Sequence, residues 1–306
     1  MVSNGYFDLQ VNGYAGVDFN ADDLSLESLR HAAQRLRADG VGGILATIIT
    51  ADHAAMQRRL RRLVEFRQQD ELVRDVIAGI HIEGPFLNSA PGFVGAHPPQ
   101  CVVPAEVSIM QRLLDAADGL TRLVTLAPEC DPGFAVTIML SRQGIVVSAG
   151  HSDAPLDTLR GAIDAGLTMF THLGNGCPTL LARHDNIIQR VLSVADRLWV
   201  MLIADGAHIP FFVLRNYLHI VGIERAIVVT DAISAAGMGP GRFSIGGVEA
   251  VVGDDLVPRA AHDPRHFAGS GLTMPRAAEN LKQHLHLEDK QILQLLGNNP
   301  RRAIGG

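Results

Sequence analysis

The run GIHIEGPF at residues 79–86 puts an imidazole, His81, and a carboxylate, Glu83, two positions apart in an otherwise apolar stretch. Side chains alternate across a strand, so both point to the same face. A buried carboxylate is costly unless something pairs with it. Suitable partners recur at or just past the ends of later apolar runs: His151 in SAGHSDA, His172 in LTMFTHL and Asp231 in RAIVVTD. Two neutral imidazoles, one carboxylate and an open position form a catalytic metal environment in which the cation acidifies water. Glu83, His151 and His172 are the ligands expected on this reading. Asp231 is expected to take the proton from the attacking water and return it to a leaving amine. His81, one pleat deeper than Glu83, is expected to orient the metal site rather than bind the cation. Taken singly, each residue also has a plainer structural reading, with Ser152 or Asp153 as a helix cap beside His151 and Asp231 as another.

These residues meet only if their elements bring them together. Apolar runs at 6–12, 42–49, 76–82, 122–128, 144–150, 167–173, 198–205 and 225–231 alternate with segments of helical period, the pattern of strand-helix units feeding a parallel sheet. Eight such units predict a (β/α)₈ TIM barrel of the α/β class, a single domain spanning 1–306, with its chemistry at the carboxyl ends of the strands. Gln10, Asn12, Glu83, Glu129, His151, His172, Asp205, His208 and Asp231 all fall on that rim. Ser25 is the expected cap of the first helix and Gly40 its stop. Residues 239–255 read as a glycine-rich hairpin excursion, and 272–300 as closing helices.

Composition narrows the class further. With 306 residues, 47% hydrophobic, 19% charged and a net charge of −6, the chain has enough core for a compact soluble protein and no basic excess to attract nucleic acid or an anionic membrane. Cys101, Cys130 and Cys177 are scattered and lack a C-x-x-C spacing, which fits a reducing compartment. No leader-like or membrane-spanning run is visible, so the expected location is cytoplasmic.

The stretches HIEGPFLN (81–88), GAH (95–97), SAGHSDA (148–154), THLGNGCP (171–178), IADGAHIP (203–210), VTDAISAAGMGPG (229–241), GSGLTM (269–274) and NNPRRAIG (298–305) together resemble the N-acetylglucosamine-6-phosphate deacetylase family of the amidohydrolase superfamily. The resemblance implies a metal-dependent hydrolase that releases acetate from an N-acetylated amino sugar, with N-acetylglucosamine 6-phosphate the expected substrate. It implies metal ligands at Glu83, His151 and His172, an acid/base at Asp231, and substrate contacts at Gln10, Ala96, His97, Asn175, Gly176, Arg183, His208, Phe267, Ala268 and Gly269. His97 or His208 would steady the oxyanion, and Arg183 would meet phosphate. Gln10 and Asn12 stand where many superfamily members carry a metal-binding H-x-H pair, so one divalent cation is expected: zinc, with iron, cobalt or manganese compatible with the same donors. The family's small β-sandwich is expected to be absent, because the chain starts almost at the first barrel strand. A homodimer is compatible with the resemblance. Unphosphorylated amino sugars, other N-acyl amines and a non-catalytic sugar-binding relic are the competing readings.

Overall fold

The computed structural model describes residues 5–305. Eight parallel strands follow one another around a sheet in chain order: β1 (Tyr6–Val11), β2 (Val41–Ile49), β3 (Ile77–Glu83), β4 (Thr121–Leu126), β5 (Val146–Ala149), β6 (Leu167–Phe170), β7 (Trp199–Ile203) and β8 (Ala226–Val229). The expected strands are present, several of them trimmed at the carboxyl end. The fourth stops at Leu126 because Pro128 has no amide to continue a ladder and opens a 3₁₀ turn. The sixth stops at Phe170, just before His172 turns into the left-handed region with φ 30°. Helices cover the outside. The first, α1 (Leu26–Ala38), is capped by the Ser25 side chain, which accepts the Ser28 amide, and Gly40 beyond it takes φ 76°.

Seven joints of the barrel are ordinary parallel ladders. The eighth, between β8 and β1, consists of one bridge, Val11 to Ala232, with the Asn12 and Gly13 amides both donating to the Ala232 carbonyl. Side chains add to this seam. The Asp8 carboxylate accepts from the Thr230 amide at 3.3 Å and its hydroxyl at 2.6 Å.

The region after β8 corrects the sequence reading. Where one hairpin is expected there are four antiparallel strands, β9 (Gly241–Ile245), β10 (Val248–Val252), β11 (Pro258–Ala260) and β12 (Asp263–Phe267), paired in that order. This sheet has its own small apolar cluster, in which Ile245, Ala250, Val252 and Ala260 pack with Ile49 and Ile233 from the barrel rim. Buried Asp18 pins it in place by accepting from the Gly246 amide at 2.9 Å and the Ser244 hydroxyl at 3.2 Å. No helix among the described residues is long and apolar enough to cross a membrane.

Candidate metal centre

Glu83 is the last residue of β3, and three other functional candidates share one placement. His151, His172 and Asp231 each stand two residues beyond the end of their strand, at φ 51°, 30° and 51°. Such backbone costs a non-glycine residue on the order of 1–3 kcal/mol and persists only where the surroundings impose it. Glycines permit the crowding around them. Gly84 (φ 86°) follows Glu83, and a methyl group there would lie 2.0 Å from Thr50 Oγ1. At Gly176 (φ 59°) a methyl would reach within 3.0 Å of His151 Nδ1 and 3.1 Å of His172 Cε1, so any larger residue displaces both rings.

The side chains converge. Glu83 Oε1 lies 3.2 Å from His172 Nε2 and 3.4 Å from His151 Nε2, with all three groups buried. His97 joins them, its Nε2 3.3 Å from His151 Nε2 and its ring edge-on to the His151 ring. His151 Nδ1 donates to the Phe93 carbonyl at 2.7 Å, so in the neutral ring the Nε2 lone pair faces Glu83 and His97. Among the described residues the trio of potential metal donors whose atoms all lie within 4.8 Å of one another is Glu83, His97 and His151; His172 joins it through Glu83. Sequence reasoning placed His97 at the substrate; the fold also brings it into the donor cluster. Buried Nδ1 atoms of His97 and His172 have no hydrogen-bond partner.

Electrostatics support a cation here. Burial opposes the Glu83 charge, yet the neighbouring His151 and His172 rings outweigh it and hold the carboxyl well below its ordinary range. Burial, with the His151 ring adding to it, pushes His97 down to about 3, so the ring is neutral and able to donate a lone pair. Burial opposes the His172 charge, yet the hydrogen bond and charge of Glu83 raise that ring, so a bound cation would take the place of the His172 proton beside the carboxylate. Carboxylate and imidazole are donors that a borderline divalent ion accepts.

Asp231 also lines the cavity, its Oδ1 receiving Asn12 Nδ2 at 2.8 Å. Burial first, then repulsion from Glu83, raises its carboxyl to about 6. His208 donates from Nδ1 to Asp205 Oδ2 at 2.6 Å and lies against the Phe267 ring. Glu129 ties the His151 loop down, accepting from Asn88 Nδ2, the Ser152 hydroxyl and the Asp153 amide.

A cavity of about 590 Å³ opens over these groups. Its lining contains Glu83, Ala96, His97, His151, His172, Asn175, Gly176, His208, Asp231, Phe267 and Gly269, all anticipated at the site. Ala268 is wholly buried behind it. Gln10 corrects an expectation: it is fully buried and off the cavity wall, donating Nε2 to Glu83 Oε1 at 3.0 Å and accepting the Thr171 hydroxyl. Arg183 is exposed and outside the lining of this cavity. His81 does not touch Glu83 directly; its ring nitrogens meet the Thr125 and Thr47 hydroxyls below the site, and burial lowers it to about 4. Residues unassigned from sequence also line the cavity, among them Cys177, Thr179, Arg265 and His266. The last two sit on β12, beyond the stretch read as a hairpin.

No protein-family model matches the chain. Individual relatives do. The chain is 30% identical over 303 residues to N-acetylglucosamine-6-phosphate deacetylase of Bacillus subtilis, covering 98% of this chain and 74% of that protein. It is 30% identical to N-acetylgalactosamine-6-phosphate deacetylase of Escherichia coli O157:H7, over 98% and 77% of the two chains. Among solved structures, a mutant N-acetyl-D-glucosamine-6-phosphate deacetylase from Mycobacterium smegmatis, in complex with N-acetyl-D-glucosamine-6-phosphate, superposes with a TM-score of 0.87 at 31% identity, over 98% of this chain and 77% of that one. The Thermotoga maritima N-acetylglucosamine-6-phosphate deacetylase superposes with a TM-score of 0.85 at 26% identity, over 98% and 78%.

Proposed function

The chain belongs to the N-acetylglucosamine-6-phosphate deacetylase family of the amidohydrolase superfamily, and on that premise we propose that it hydrolyses the acetamide of an N-acetylated hexosamine 6-phosphate to acetate and the free amine. The observation that carries this reading is that His151 and His172 both approach Glu83 Oε1 in a cavity that Asp231 also lines.

Glu83, His151 and His172 would hold one divalent cation, zinc before iron, cobalt or manganese, with His97 in reach of the same ion. When bound, the cation supplies Lewis acidity that makes water a competent nucleophile near neutral pH and polarises the acetamide carbonyl. Asp231 does the proton work. Its Oδ1 is held by Asn12, which leaves Oδ2 to accept the proton of the attacking water and hand it to the amine as the C–N bond breaks. Asp205 Oδ2 holds His208 Nδ1 at 2.6 Å and so orients a ring that lines the cavity where the acetamide would lie. Asn175, Gly176, Ala96 and Phe267 surround the space left for the sugar.

A second reading, the same chemistry on an unphosphorylated amino sugar, is favoured by the cavity's charges. Arg265 is the only Lys or Arg in the lining, and its guanidinium is already paired with Asp263. One experiment tests both: acetate release from N-acetylglucosamine, N-acetylglucosamine 6-phosphate and N-acetylgalactosamine 6-phosphate, with metal analysis of the same preparation. The expected result is metal-dependent turnover of a phosphorylated sugar that Glu83→Gln abolishes. Full turnover by metal-free protein, or by Glu83→Gln, overturns the proposal.

A further inference from the structure

Asp8 is a carboxylate that the chemistry above does not use, wholly enclosed at the seam between β1 and β8. Strand alternation aims Asp8, Gln10 and Asn12 inward as one column, and each serves the site differently. Gln10 donates to Glu83 and Asn12 to Asp231. Asp8 reaches neither the cavity nor either site carboxylate; it accepts from the Thr230 amide, the Thr230 hydroxyl and the Gln10 amide.

Thr230 is the residue immediately before Asp231. Its hydroxyl donates to Asp8 and also accepts the Ala232 amide at 3.1 Å, so one oxygen ties both neighbours of Asp231 to β1. The far side of the turn is held by Ser270, whose amide donates to the Asp231 carbonyl and whose hydroxyl donates to the Thr230 carbonyl. Asp231 itself has φ 51°, a conformation that relaxes unless the residues around it prevent it. Burial raises the Asp8 carboxyl to about 7 even though three donors oppose the shift, so the group is an expensive one to keep for packing alone.

We propose that Asp8 is a positioning residue of the reaction: by fastening the amide and hydroxyl of Thr230 it fixes the left-handed turn from which Asp231 reaches the water. The inference rests on Asp231 being the proton carrier. A base displaced by about 1 Å costs up to about 10²-fold in rate while leaving substrate contacts in place.

The test compares Asp8→Asn, Thr230→Val and Thr230→Ser, with Asp231→Asn as the control. Thr230→Val removes the shared hydroxyl; Thr230→Ser keeps it. The expected result is a kcat lowered about 10- to 100-fold in Asp8→Asn and Thr230→Val, a KM within about twofold of wild type, and recovery in Thr230→Ser. The double variant Asp8→Asn/Thr230→Val should be no slower than the worse single variant, because both break one fastening. A crystal structure of Thr230→Val should show Asp231 out of the left-handed region and parted from Asn12. If Asp231→Asn is inactive while Asp8→Asn and Thr230→Val keep wild-type kcat, the positioning role is wrong and the deacetylase reading stands. If Asp231→Asn retains activity, the deacetylase reading itself loses its base. An unmoved Asp231 in the Thr230→Val structure overturns the proposal whatever the turnover, and Thr230→Val decides the matter alone if Asp8→Asn fails to fold.

Discussion

Gln10 shows how much a single side chain's depth decides. Its place at the end of the first apolar run was legible, but whether it faces substrate or backs a ligand was not. That depends on Glu83 and Thr171, 73 and 161 positions away in the chain. As a buried donor to Glu83, it fixes which lone pair of that carboxylate remains for a cation. Gln10→Ala should therefore lower metal affinity about 10- to 100-fold, measured by competition with a chelator, while KM in metal-saturated enzyme stays within about twofold. A raised KM with unchanged metal affinity would return Gln10 to the substrate. The rim positions of Glu83, His151, His172 and Asp231 were readable because each ends or closely follows an apolar run, and the barrel converts that sequence position into a common rim. The position of Arg183 relative to the cavity was not legible, for the opposite reason. It lies in a polar loop whose direction no periodicity specifies.

Among the elements, the strands of the barrel were legible because buried parallel strands are continuous apolar runs. The four-stranded sheet after β8 was not, since β12 (DPRHF) is an exposed edge whose charged residues hide any alternation, and β11 is only three residues long. Its attachment to the barrel has a pH signature through Asp18. Burial raises that carboxyl from its ordinary 3.8 to about 6, against the pull of the Asn20, Gly246 and Ser244 donors. Between pH 4 and 6 the folded protein thus keeps a proton that the unfolded chain has released. This group's contribution is most favourable below pH 4 and declines as pH rises through 6. Asp18→Asn stays neutral throughout, so its Tm minus that of wild type should climb across pH 4 to 6 and level off above. A difference independent of pH would show that Asp18 does not carry the raised carboxyl.

At the scale of the whole molecule, the barrel is a hoop with seven backbone-laced joints and one clasp. The clasp is the β1–β8 seam, where a single bridge and the Asp8–Thr230 side chains replace a ladder. A hoop under thermal strain parts first where the fewest independent bonds must break together. Deuterium should enter the amides of residues 230–232 sooner than those of the β2–β3 joint, where a six-pair ladder protects its strands. Slower uptake at 230–232 than at 44–49 would show that the clasp is as firm as the lacing. The proposed base, Asp231, therefore sits where the rim meets the fastener, so a substitution that loosens the hoop without unfolding it would silence turnover before any melting curve registered the damage.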